Sequence, residues 1–136
     1  MAGFLDPLIL EYIDGKKWKV VHHFDYAIGA PDGYPIVDVP AGFITDFASV
    51  PRILWNILPP TGKYGKAAVV HDRLYQDPYL KMCADYPPFK VTRDFADLVL
   101  LEAMEVLEVG WLTRWVIYLG VRTGGWMPWD KYRMEE

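Results

Sequence analysis

The sequence predicts an α+β domain in which an N-terminal β hairpin and short strands precede three or four packed helices. Two observations predict it. Residues 8–45 carry partly alternating apolar residues punctuated by Gly and Pro, whereas 64–75 and 92–108 place apolar residues at i, i+3, i+4 and i+7.

In order, 8–13 reads as a strand, Asp14-Gly15 as a turn and 17–28 as a second strand, which together make a hairpin. Adjacent strand residues point to opposite faces, so His22 and His23 are not expected to share one metal. GAPDGY at 29–34 is a loop, and 35–39 and 42–45 give short strands broken at Pro40. DFASVPR at 46–52 is a polar junction to a short helix at 52–58, with Asp46 and Ser49 as caps and Pro51 in the first turn. Residues 59–62, PPTG, stop that helix.

The next helix, 64–75, is the centre of the chain. Residues 76–91 hold Pro78, Pro87 and Pro88 and read as a long loop of the kind that forms lids or contacts. Thr92 is positioned to cap 92–108, and Asp94 suits the positive end of that helix. Gly110 is expected to end it, 111–122 forms a last helix, and Thr123-Gly124-Gly125 breaks this one. The expected organisation is a single domain over 1–136, mainly β in 1–48, helical in 49–123, with a tail at 124–136.

The chain has 136 residues, about half of them apolar and 15% aromatic, so a dense core is expected and disorder is excluded. A net charge of −4 gives no general attraction to nucleic acid or anionic membrane. The single Cys83 suits a reducing compartment and provides neither an intramolecular disulfide nor a cysteine metal site. The N-terminus lacks the basic region of a secretory signal, and the apolar run 111–121 is short of the roughly 20 residues that span a bilayer, so a soluble product is expected. Six Trp exceed the needs of a minimal core, which makes Trp111, Trp115, Trp126 and Trp129 candidates for either core packing or a partner surface.

Two titratable residues interrupt apolar helix faces. His71 shares a face with Tyr64, Ala67, Ala68, Leu74 and Tyr75, and Asp97 shares one with Leu100, Leu101 and Met104. A buried imidazole without a partner costs roughly 1–3 kcal/mol. Pairing His71 with Asp97 across two antiparallel helices explains both anomalies.

Three chemistries fit. His71 acts as general base on water, with Asp97 fixing its tautomer and Asp72, about 100° round the helix, holding a hard cation such as calcium. Alternatively His71, Asp72 and Asp97 ligate one transition metal such as zinc, although no stronger metal spacing such as HExxH is present. In the third, Ser49, the only serine, attacks with His71 as base, but it lacks a GxSxG elbow. Against all three stands the plain structural role: a buried His–Asp pair also orders a core without reacting. Tyr75, one turn after His71, is expected to reach the carboxylates in either case. Arg52 and Arg93 are expected structural partners for Asp46, Asp72 or Asp97, and Asp46, Ser49 and Arg52 are expected to brace their loop.

The blocks GFITDFASVPR and AAVVHDRLY, with TRDFADLVLLEAM and VRTGG, closely resemble the phage and prophage family catalogued as domain of unknown function 1353. That likeness covers about residues 36–125. It implies a bacteriophage or prophage origin, synthesis in the host cytoplasm and, as one destination, the virion; it implies no settled activity.

The His-Asp-x-x-Tyr helix followed by an Ala-Asp pair also resembles the site of phospholipase A2, most nearly the viral-capsid form. This implies His71 as base, Asp72 as calcium ligand, Tyr75 as a network hydroxyl and Asp97 as the orienting carboxylate. The chain departs from that pattern where a glycine-rich calcium loop should precede the helix, and it lacks the disulfides of secreted members. The leading expectation is a phage-encoded hydrolase acting on a lipid or another envelope ester. The rival is a non-catalytic phage component of tail or baseplate, with a structural His–Asp network and a Trp-rich end that binds other phage proteins.

Overall fold

The computed structural model describes residues 3–4, 8–14, 17–29, 35–45, 64–82 and 86–135. Asp46, Ser49, Arg52, the expected helix at 52–58 and Cys83 lie outside them.

Short antiparallel strands precede four helices, an α+β fold as expected. Strands β1 (Gly3–Phe4), β4 (Phe24–Ala27) and β5 (Ile36–Val39) form one sheet in the order β1-β4-β5. A second sheet, β2-β3-β6, joins β2 (Leu10–Asp14), β3 (Lys17–Val20) and β6 (Ile44–Thr45). The expected hairpin is present as β2 against β3, with Leu10 opposite Val20 and Tyr12 opposite Trp18.

The expected single strand at 17–28 is instead two strands in different sheets. Val20 is fixed in the second sheet by Phe43, whose carbonyl accepts from its amide. Val21, His22 and His23 are all exposed, and the chain then enters the first sheet at Phe24. An apolar residue at position 22 would have continued the inward series Val20, Phe24, Tyr26; a histidine there interrupts it.

Helix α1 (Gly65–Gln76) is almost wholly buried, Ala67, Ala68, Val69, Val70 and Leu74 included, because β5 and β6 pack on it together with two helices. Those helices are α2 (Arg93–Val106) and α4 (Trp126–Met134), with α3 (Trp111–Gly124) packed on both. Phe24, Tyr26, Val37 and Val39 supply the sheet side of the core. The Tyr26 hydroxyl donates to Glu102 at 2.6 Å and ties β4 to α2.

Thr92 caps α2 as expected, its hydroxyl accepting from the Phe95 amide at 3.2 Å. The helix ends earlier than expected, at Val106, and the left-handed residue beyond it is Glu108 with φ 59°. Gly110 instead stands at the N-cap of α3.

Two segments read without regular structure contain strands or a helix. Within 76–91, β7 (Tyr79–Leu80) and β8 (Phe89–Lys90) pair, and an Ile36–Lys81 bridge attaches them to β5. Two-residue strands are too short for alternation to show. The expected tail forms α4. No residue of this helix is fully buried, and Trp129 and Tyr132 alone pack partly against the core, too few positions for periodicity to reveal. It is anchored by Arg133, which donates to the carbonyls of Tyr75, at 2.5 Å, and Gln76, at 3.2 Å, and so satisfies the C-terminal end of α1.

Gly125, between α3 and α4, has an ordinary helical φ of −71°, so conformation does not demand glycine. Space does. A Cβ there would collide with the Val121 carbonyl, stand 2.5 Å from the Tyr75 hydroxyl and 3.3 Å from Arg93 Nη1. Gly125→Ala should therefore lower stability by about 1–3 kcal/mol through overpacking. Equilibrium unfolding in urea measures it.

Candidate active site

Helices α1 and α2 bring His71 and Asp97 together, as their spacing implied. His71 Nε2 lies 2.6 Å from Asp97 Oδ1. Tyr75, one turn further along α1, donates its hydroxyl to the same oxygen at 2.6 Å, and its ring stacks at a tilt on the imidazole with centroids 4.3 Å apart. Trp129 of α4 meets the Tyr75 ring edge-on at 5.2 Å.

The second carboxylate oxygen is held from α3. Arg122 Nη1 donates to Asp97 Oδ2 at 2.6 Å while its Nη2 pairs with Asp94 Oδ1 at 2.9 Å. Arg93 Nη1 stands 3.6 Å from the same Oδ2, the i,i+4 neighbour on α2, so its expected role as a partner of Asp97 fits this geometry. The sequence reading missed Arg122. Its signal was indirect: a buried carboxylate that already accepts from a neutral imidazole and a phenol still carries a full charge, and a buried charge needs a cation.

Both His71 and Asp97 are wholly buried. Burial lowers the His71 pKa below its ordinary 6.5, against the pull of Asp97, and the nearby Arg93 adds to the lowering. Burial raises the Asp97 carboxyl, but its bonds to His71, Tyr75 and Arg122 outweigh this and leave it below 3.8. An ionised Asp97 only accepts, so the neutral imidazole carries its proton on Nε2. Nδ1 therefore presents a lone pair. It is buried and has no hydrogen-bond partner among the described residues.

These shifts fix a pH dependence. The folded His71 resists protonation that the unfolded chain accepts near 6.5, so its stabilisation is full above that value and is lost as pH falls below it. Asp97 behaves likewise from 3.8 downward. Denaturant unfolding at pH 8 and pH 5 should show lower stability at pH 5, with a smaller difference in His71→Gln.

Asp72 takes a different direction. It accepts from Thr45 Oγ1 of β6 at 2.5 Å and from Gln76 Nε2 at 3.2 Å, linking α1 to the second sheet. Calcium takes about six to eight oxygen ligands. Among the described residues Asp72 belongs to no group of three or more His, Cys, Asp or Glu side chains close enough to share a metal ion. The described residues do not gather His71, Asp72 and Asp97 around one metal ion.

The profile of the family described as "Protein of unknown function (DUF1353)" matches residues 18–121. The chain belongs to the DUF1353 family. No curated protein and no solved structure matches it. The DUF1353 match runs from Trp18 in β3 to Val121 in α3, and so includes His71, Asp72, Tyr75, Arg93 and Asp97 and stops one residue before Arg122.

No helix among the described residues is long and apolar enough to cross a membrane. Trp111, Trp115 and Trp126 are exposed, whereas Trp129 is partly buried against the core.

Proposed function

We propose that this DUF1353 protein is a hydrolase of carboxylic esters, with a lipid or another envelope ester as substrate and His71 as its general base. The observation that supports the reading is the asymmetry of the imidazole: Nε2 is tied to Asp97, while Nδ1 keeps a lone pair with no partner among the described residues. A histidine kept only for packing would gain by pairing both nitrogens. In the proposed step Nδ1 takes a proton from water, the water oxygen bonds to the acyl carbon, and the departing alkoxide recovers that proton from Nδ1. Asp97, held by Arg122 and Tyr75, fixes the tautomer and stabilises the imidazolium that forms in between. The depressed basicity of His71 keeps it unprotonated at neutral pH, the form a base requires. On this reading the ester belongs to a host envelope and the protein is made in the host cytoplasm, a setting supported by the resemblance of the TDFASVPR and AAVVHDRLY blocks to phage and prophage sequences.

One observation favours a second reading. His71 and Asp97 have no exposed surface, so water and substrate reach the imidazole only when its cover opens. In the second reading the pair braces a non-catalytic phage component, and exposed Trp111, Trp115 and Trp126 contact another phage protein. Release of fatty acid from phospholipid vesicles, or of alcohol from short-chain acyl esters, by wild type and His71→Gln tests the two. Turnover that disappears in the variant supports the hydrolase; absence of turnover in the wild type across both substrate sets supports the brace.

A further inference from the structure

On the sheet face opposite the core, β4 and β5 assemble a second group of ionisable side chains. Alternation along the chain puts His23 and Asp25 on one side of β4 and Phe24 and Tyr26 on the other, where both of the latter are buried. The β4–β5 register then sets Asp38 directly across from Asp25. His23 Nε2 is 2.9 Å from Asp25 Oδ1 and 2.5 Å from Asp38 Oδ1, and one ligand atom from each of the three residues lies within 4.8 Å of the others. Two carboxylates opposite each other on neighbouring strands repel, and positive charge between them relieves the repulsion, supplied either by a protonated His23 or by a bound cation that His23 ligates.

We propose that His23, Asp25 and Asp38 bind a divalent transition-metal ion at a site separate from the His71–Asp97 dyad. One imidazole nitrogen with two carboxylate oxygens suits zinc, manganese or iron better than calcium or magnesium, which take oxygen ligands. Ligand atoms on one zinc ion stand about 3.4 Å apart, given bonds of about 2.0–2.2 Å and tetrahedral angles. His23 would withdraw from the two carboxylates by a few tenths of an ångström to about 1 Å, which its half-exposed side chain permits, and the three ligand atoms already lie within 4.8 Å of one another.

Three protein ligands leave coordination positions open. Asp38 also lines a cavity of about 350 Å³ with Arg73, Asp77, Tyr79, Lys81 and Tyr86, so the ion would sit at the edge of a volume lined by two cationic side chains and two carboxylates. Because Arg73 is already paired with Asp77, a small oxyanion, a carboxylate or phosphate group, would be held by the open positions of the metal and by Lys81. Arg73 is held there by its own bonds, donating from Nε to the Asp38 carbonyl at 3.0 Å and pairing with Asp77 at 3.0 Å.

The test is calorimetric titration of zinc chloride into the full chain, paired with its melting temperature. One equivalent of zinc should bind and raise the melting temperature. His23→Ala and Asp38→Asn should each weaken binding by more than about 100-fold, beyond the roughly 10–100-fold that loss of an outer-sphere partner costs, while His71→Gln should bind zinc as wild type does. Side-chain exposure of 50% at His23 and 41% at Asp38 makes both variants compatible with folding. Equal zinc affinity in wild type, His23→Ala and Asp38→Asn would overturn the proposal, as would no binding by wild type at millimolar zinc.

Discussion

Replacing Asp97 by Ala should lower the unfolding free energy by about 3–5 kcal/mol, the largest stability effect expected from any single change in this site. The magnitude follows from what the carboxylate does. Asp97 is wholly buried and accepts from His71 and Tyr75 on one oxygen and from Arg122 on the other, with Arg93 3.6 Å from the latter. Its removal leaves a buried imidazole N–H and a buried phenol without their acceptor, and takes from Arg122 the shorter of its two carboxylate contacts. Three helices lose their common point of attachment at once. A domain of this size has about 5–15 kcal/mol to lose and shifts by roughly 2–4 °C per kcal/mol, so the melting temperature should fall by about 10 °C. Asp97→Asn, which keeps one acceptor oxygen but removes the charge, should fall between this variant and wild type. Urea denaturation of the three proteins measures the series, and a loss under about 1 kcal/mol for Asp97→Ala would show that the network does not hold the helices together.

His71→Gln should reduce ester turnover by about 10²–10⁴-fold, the range that a positioned general base contributes. The choice of Gln matters. Its amide can still donate to Asp97 in place of Nε2, so the carboxylate keeps its partner, but it offers no basic lone pair at the position of Nδ1. A stability loss near 1 kcal/mol together with lost turnover therefore isolates the chemistry from the packing. If the histidine were a brace, the same substitution would alter melting and leave no catalytic rate to compare.

The parts of this molecule that could be read from residue spacing are those in which a single side chain contradicts its surroundings. His71 and Asp97 were visible because each falls in an apolar stripe of a helix long enough to display a period, and the simplest remedy for two such anomalies is their pairing. The same long period, with Thr92 at its start, located α2 to within about two residues at either end.

What escaped lacks a local signature. Arg122 is ordinary in sequence, since arginine near the end of a helix suits the dipole; its bond to Asp97 depends on how α3 crosses α2. Gly125 was read as a helix breaker, yet its glycine is required by the close approach of Tyr75. Helix α4 is fixed by Arg133 at the end of α1, a contact 58 residues away along the chain. The His23, Asp25 and Asp38 group required the β4–β5 register, which an apparently continuous strand at 17–28 concealed.

The most direct test of the central claim, that His71 presents a basic nitrogen without a partner among the described residues on the far side from Asp97, is the protonation state of its ring measured by nitrogen-15 NMR. At pH 7 the predicted spectrum is that of a neutral imidazole protonated at Nε2, with an unprotonated Nδ1. A ring protonated at Nδ1, or an imidazolium at that pH, would contradict it.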